Sequence, residues 1–182
     1  MKKDFDPRRL DVKSFAEAAA ELDGHERLGD HPRLMAETAG RGADTQLAWS
    51  VTGEMRNPGH VHPEIWLHLA ANTVLSLTCQ RCLAPVDVAV AVERPFRFVQ
   101  DEAVAMAQDD RSEEDLLALS RSFDLIELVE DELLMDLPVA PRHEVCPVPV
   151  KLAVADEGFE AEPAPRENPF ALLQRLKARK AE

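Results

Sequence analysis

Ile65-Trp66-Leu67-His68-Leu69-Ala70-Ala71-Asn72-Thr73-Val74-Leu75-Ser76-Leu77-Thr78-Cys79-Gln80-Arg81-Cys82-Leu83-Ala84-Pro85-Val86-Asp87-Val88-Ala89-Val90-Ala91-Val92 decides the fold class. Ile65, Leu67, Leu69, Leu75 and Leu77 share one parity, and after the Cys-Gln-Arg-Cys turn Val86, Val88, Val90 and Val92 alternate again, with Phe96 and Phe98 in the same register. Side chains on a strand point alternately to its two faces, so this period of two predicts strands with one buried side. Ala70-Ala71-Asn72 reads as a bend or bulge in the first of them. Upstream, Leu47, Trp49 and Val51 alternate with Ala48, Ser50 and Thr52, and Asn57-Pro58-Gly59 is a turn. Three antiparallel strands, with room for a fourth, are thus expected between Thr45 and Val99.

Helical patterns lie on both sides. Ser14-Phe15-Ala16-Glu17 has capping-box spacing and opens an alanine-rich helix expected to stop near Gly24. Asp30 and Pro32 mark a second helical start, reaching Ala39, with Gly40 and Gly42 as its end. Residues 101–121 read as an acidic loop with at most a turn of helix. Asp124 then caps the clearest helix, with Glu127 as its capping-box partner and Phe123 and Leu128 at hydrophobic-staple spacing. Ile126, Val129, Leu133, Leu134 and Leu137 form its apolar stripe, while Glu127, Glu130, Asp131 and Glu132 are expected on the opposite side. Pro138 ends it. From there to Pro169 the chain carries seven of its 13 prolines. The expected architecture is α+β, a central antiparallel sheet, open or barrel-like, flanked by helices. Residues 1–150 form the domain, 151–168 an acidic Pro-rich linker, and 169–182 a basic amphipathic helix containing Phe170, Leu173 and Leu176.

Composition narrows the function classes. The net charge of −13 is unevenly spread. Asp101 to Asp136 holds 13 acids against Arg111 and Arg121, a balance of −11, whereas Arg166 to Glu182 holds five bases against two acids. An acidic stretch repels a nucleic-acid backbone, so Glu127, Glu130, Asp131 and Glu132 read either as a solvated face or as a surface for a basic protein. Arg81 and the tail residues Arg175, Lys177, Arg179 and Lys180 are the places where RNA could be touched. Their alternatives are an exposed turn arginine and a protein-docking helix. No apolar run approaches the roughly 18 residues of a membrane span, and the lysines at the N-terminus lack the apolar segment of a secretion signal. With three cysteines, two of them in Cys-x-x-Cys, a reducing, cytoplasmic setting is expected.

Cys79-x-x-Cys82 has the spacing that lets two thiolates reach one tetrahedral zinc, and His143 with Cys146 could complete a Cys3His set if the fold closes the long gap between the pairs. The other reading is a tight turn with reduced cysteines. A thioredoxin-like motif would open a helix, but Cys82-Leu83-Ala84-Pro85 leads into a strand. His60 and His62 flank a turn, and His68 has the parity opposite to Leu67 and Leu69. Neither a Ser/His/Asp set nor a Gly-rich phosphate loop is evident, and the acids of 124–136 single out no catalytic pair.

Three blocks in order resemble the YceD family of large ribosomal RNA subunit accumulation proteins. They are the strand entering Cys79-Gln80-Arg81-Cys82-Leu83-Ala84-Pro85, then Val129-Glu130-Asp131-Glu132-Leu133-Leu134-Met135-Asp136-Leu137-Pro138-Val139-Ala140-Pro141-Arg142-His143 with Cys146, then Asn168-Pro169-Phe170-Ala171-Leu172-Leu173 with Leu176-Lys177. Cys79, Arg81, Cys82, Glu130, Asp131, Glu132, Pro138, Pro141, His143 and Cys146 match the motif. The resemblance implies a cytoplasmic bacterial protein involved in synthesis, processing or stability of large-subunit (23S) ribosomal RNA, with no reaction attached to it. A non-catalytic factor meeting that rRNA or a precursor particle, and a basic ribosomal or RNA-processing protein, is therefore expected. The alternatives are a metal-dependent RNA-processing enzyme and a protein-interaction adaptor that touches no RNA.

Overall fold

The computed structural model describes residues 4–61 and 63–150. Helix α1 (Val12–Glu17) leads into strand β1 (Glu21–Arg27), helix α2 (Pro32–Glu37) and strands β2 (Gln46–Arg56), β3 (Glu64–Thr78) and β4 (Pro85–Val99). Helix α3 (Glu102–Gln108) and strand β5 (Asp115–Ala118) form where the sequence predicts an acidic loop, and helix α4 (Leu125–Met135) completes the order. The strands form one sheet in sequence order, β1-β2-β3-β4-β5. The first four are antiparallel neighbours, and β5 runs parallel to β4. The α+β class is as read from the sequence. The sheet is mixed and open, and β1 and β5 are its two edges, so the barrel-like variant is not what forms.

Strands β3 and β4 are an unbroken hairpin paired from Ile65↔Phe98 to Thr78↔Pro85. This register puts the odd residues of β3 and the even residues of β4 on one face. Leu67, Leu69, Ala71, Leu75, Leu77, Val90, Val92 and Phe96 are buried there. Ala70-Ala71-Asn72 continues the strand without a bulge, because all three pair in register on both sides. Leu47, Trp49 and Val51 of β2 extend the same buried face.

The helices cover that face. Asp124 caps α4 as its sequence indicates: one carboxylate oxygen accepts from the N–H groups of Ile126 and Glu127 at 3.0 and 3.1 Å. Leu125, Ile126, Val129 and Leu133 are buried against the hairpin, each such side chain contributing roughly 1.5–3 kcal/mol. The N-terminal segment pins the start of this helix. Leu10 and Phe123 exchange both backbone hydrogen bonds at 2.8 and 2.9 Å, and the Leu125 N–H donates to the Pro7 carbonyl at 2.8 Å.

Other boundaries differ from the sequence reading. Helix α1 is capped by Asp11, whose carboxylate accepts from the N–H of Ser14 at 3.0 Å, so Ser14 is already inside the first turn. It stops at Glu17, and Ala19 turns the chain with φ +44°, leaving Gly24 inside β1. In α2 the N-cap is His31 rather than Asp30, with Pro32 at the first helical position. The end is as expected, with Ala39, Gly40 and Gly42 at positive φ. The chain divides after Val148; the proposed linker 151–168 and tail helix 169–182, as well as His62, lie outside the described residues.

Two glycines mark where side chains cross the sheet. A Cβ on Gly24 would meet the Trp49 ring at 2.6 Å, and one on Gly53 would meet the Phe15 ring at 2.7 Å and the Ala16 backbone at 3.0 Å. Phe15 is fully buried and cannot swing away. Gly53→Ala is therefore expected to lower unfolding free energy by about 1–3 kcal/mol in urea titrations, the usual cost of overpacking. Gly59→Ala, with open space around it, is expected to stay within about 0.5 kcal/mol of the parent.

Candidate metal centre

The β3–β4 turn is a tight knuckle. The N–H of Cys79 donates to the Ala84 carbonyl, and the N–H of Leu83 to the Cys79 carbonyl, both at 2.9 Å. Leu83 takes a left-handed φ of +62°, uncommon for a branched side chain. That conformation turns the backbone so that Cys79 and Cys82 face one point, while the Leu83 side chain is left 75% exposed. Arg41, from the loop after α2, braces the neck of the hairpin. Its guanidinium donates to the Ser76 carbonyl at 2.9 and 3.2 Å and to the Thr78 hydroxyl at 3.0 Å.

The second pair of donors arrives from α4. Eleven residues of helix rise about 16 Å, and the segment after Asp136 returns to the knuckle, where the Gln80 N–H donates to the Pro141 carbonyl at 2.8 Å. The thiol sulfurs of Cys79, Cys82 and Cys146 and a ring nitrogen of His143 then lie within 4.8 Å of one another. His143 Nε2 is 2.9 Å from the Pro85 carbonyl oxygen. A carbonyl only accepts, so Nε2 carries the proton. Nδ1, 3.4 Å from the Cys82 sulfur, is left with a free lone pair facing the cluster. This is the arrangement of a histidine oriented for metal ligation by a carbonyl behind it.

The local charges agree with a cation site. Burial pushes the Cys79 thiol up, but backbone N–H groups of His143, Cys82 and Arg81 directed at its sulfur outweigh this and hold it at about 5. For Cys82 the Ala84 N–H pulls down, yet burial and the neighbouring Cys146 and Cys79 sulfurs outweigh it and hold the thiol above its ordinary value. The Cys79 sulfur is thus favoured as a thiolate while Cys82 is held back by the sulfurs beside it, a conflict that a cation among them would relieve. Donors around a tetrahedral ion with metal–sulfur bonds of about 2.3 Å sit roughly 3.6–3.8 Å apart. A small contraction of the cluster reaches that spacing, so the Cys3His set fits one thiophilic metal ion.

The remaining site candidates are placed less uniformly. Arg81, expected at RNA, turns back into the cluster: its Nε donates to the Cys146 sulfur at 3.0 Å and an Nη to the carbonyls of His143 and Glu144 at 2.8 and 3.3 Å. On α4, Glu127 is exposed and Asp131 half-buried, but Glu130 and Glu132 are only 7% and 6% exposed. The expectation that all four acids share a solvated side is corrected here. Glu130 accepts from the N–H groups of Arg33 and Leu34, at 2.8 and 3.2 Å, and from the Arg33 guanidinium at 3.1 Å, joining α4 to the start of α2. Asp131 pairs with the same guanidinium. Glu132 lies 3.4 Å from Arg94 of β4. Arg175, Lys177, Arg179 and Lys180 are outside the described residues. His68 pairs with Glu54 at 2.7 Å on the other face of the sheet, away from the cluster. Arg33, Arg41 and Arg94 went unnoticed in the sequence, since an isolated arginine gives no local hint of a partner far along the chain.

An open mixed sheet carrying a two-segment Cys3His cluster that could hold a metal, with no helix long and apolar enough to cross a membrane among the described residues, defines an α+β domain with a candidate metal centre. Residues 67–177 match the family of the large ribosomal RNA subunit accumulation protein YceD, and the chain belongs to that family. The matched span contains all four donors. No solved structure matches the chain.

Burial holds the Glu132 carboxyl above its ordinary range; Arg94 opposes the shift, and Asp115 and Asp131 add to it. A carboxyl raised by folding is stabilising when protonated, and that contribution is lost as pH rises through the folded value. Glu132→Gln is accordingly expected to melt at or above the parent temperature at pH 7, with the difference closing as pH falls towards the ordinary carboxylate range. Paired thermal melts across that range check it; a variant clearly less stable at pH 7 contradicts the sign.

Proposed function

We propose that this protein is a non-catalytic factor that promotes synthesis, processing or stability of large-subunit (23S) ribosomal RNA in the bacterial cytoplasm, and that its Cys3His cluster binds structural zinc. The observation that carries the reading is the donor set itself. Catalytic zinc keeps a coordination position for water or substrate, whereas structural zinc is closed by four protein ligands, three thiolates and an imidazole among the common sets. Cys79, Cys82, His143 and Cys146 supply four donors, so a tetrahedral ion held by all of them has no position left for a scissile phosphate. Zinc would act as a clip, joining the β3–β4 hairpin to the segment that follows α4. Family membership supports the link to large-subunit rRNA.

The contact surfaces follow from charge. Arg175, Lys177, Arg179 and Lys180 are the bases we assign to rRNA or a precursor ribosomal particle. Glu127, exposed, and Asp131, half-buried beside Arg33, are the α4 acids we assign to a basic ribosomal or RNA-processing protein, since Glu130 and Glu132 are turned inward.

In a strain lacking the gene, sucrose gradients are expected to show fewer large subunits and altered 23S precursor ends. The parent sequence is expected to restore both and Cys79→Ser to fail. Purified protein should carry about one zinc per chain, lost in Cys79→Ser, and should leave precursor rRNA uncut with or without added metal. Unchanged gradients in the deletion strain would defeat the rRNA role, and metal-dependent cleavage would defeat the non-catalytic one.

A further inference from the structure

We infer that Arg81 is the positioning residue and counter-cation of the metal centre rather than an RNA ligand, an inference that rests on the zinc reading above. Three thiolates and a neutral imidazole around a divalent ion leave the centre with one excess negative charge. A guanidinium stays protonated at any physiological pH, and the nearest one belongs to Arg81, whose Nε is 3.0 Å from the Cys146 sulfur.

The same guanidinium binds the main chain that carries the last two ligands. One Nη donates to the His143 carbonyl at 2.8 Å and to the Glu144 carbonyl at 3.3 Å. All three acceptors belong to the incoming segment, while the arginine sits between Cys79 and Cys82 on the knuckle. That segment is neither helix nor strand, so few backbone hydrogen bonds of its own fix where Cys146 lies. His143 has the Pro85 carbonyl behind its ring, and Pro141 receives the Gln80 N–H. The side chain of Cys146 is held by Arg81. Lysine cannot reproduce this, because one ammonium cannot present a planar fork to a sulfur and two carbonyls at once. With Nε and one Nη engaged within the chain, the edge of the fork that would grip a phosphate through those two groups is already occupied.

The test uses the purified full-length chain and zinc itself. Affinity is measured by competition with a chromogenic chelator for the parent and for Arg81→Met, Arg81→Lys and Arg142→Met, with circular dichroism confirming that each folds. Loss of a group supporting a metal ligand typically weakens binding about 10–100-fold. That range is expected for Arg81→Met, with Arg81→Lys still weakened and Arg142→Met unchanged. Cobalt(II) adds a readout that a merely structural role would not move. Removing an N–H···S bond and a positive charge raises the sulfur lone-pair energy, so the thiolate-to-cobalt charge-transfer band of Arg81→Met should shift to lower energy. Parent-like affinity and spectrum in Arg81→Met overturn the inference while leaving the zinc reading intact. Failure of the parent to take up zinc overturns both. At saturating zinc Arg81→Met should crosslink to precursor rRNA as the parent does; a loss of crosslinks with the metal fully bound instead makes Arg81 an RNA ligand.

Discussion

Helix α4 has to lie across the β3–β4 hairpin, and most other features of the molecule follow from that packing. The hairpin presents two long rows of Leu, Val and Phe on one face, and an apolar surface of that size must be covered. Leu125, Ile126, Val129 and Leu133 cover part of it. A helix capped at Asp124 and laid on the hairpin delivers the chain to the turn that joins β3 and β4 after about three turns of helix. That is where Cys79 and Cys82 are. Hydrophobic burial thus sets the coarse position of His143 and Cys146, and short polar contacts set the fine one.

Polar groups inside this packing work as fasteners. Glu130 is buried, yet it receives two backbone N–H groups and a guanidinium, the condition under which a buried carboxylate is tolerable. It ties α4 to α2, which lies on the same face of the sheet. Glu132 is buried with only an ion contact of 3.4 Å to Arg94 and accepts no hydrogen bond at one oxygen. The two acids therefore differ in kind: Glu130 has three N–H donors on its carboxyl group, whereas burial of Glu132 favours its proton.

These two residues also show where the sequence stopped being legible. The alternation of Ile65 to Phe98, the Asp124 cap and the Cys-x-x-Cys turn are local patterns, and each forms as read apart from the bulge at Ala70-Ala71-Asn72. Strand β1 escaped because Glu-Leu-Asp-Gly-His-Glu-Arg has a single large aliphatic residue; its place at the sheet edge rests on pairing with β2. Strand β5 is four residues in an acidic stretch, and its parallel pairing with β4 has no hairpin signal. Glu130 and Glu132 looked solvent-facing because helical spacing ranks residues by polarity and cannot see an arginine 97 residues away. The donor set was legible as residue types, but the proximity of Cys82 and His143, 61 residues apart, is a property of the tertiary fold.

The same distinction bears on the acidic stretch. Its charge was counted as if every carboxylate met solvent, yet Glu130 and Asp131 are matched by Arg33, and Glu132 and Asp115 by Arg94. Among the described residues, the densest run of acids without an ion pair lies around α3, where Asp101, Glu102, Asp109, Asp110 and Glu113 are all exposed and Arg111 is the one base among them. Exposed, unpaired charge is what produces a field beyond the surface. Among the described residues, the exposed carboxylates around α3 therefore add to the negative field that Glu127 contributes from α4. The Cys3His cluster lies at the opposite end of the β3–β4 hairpin, since Thr78 and Pro85 close the knuckle while Ile65 and Phe98 end the pairing beside α3. The acidic end of the hairpin and its Cys3His end are thus separated by the full length of the paired strands.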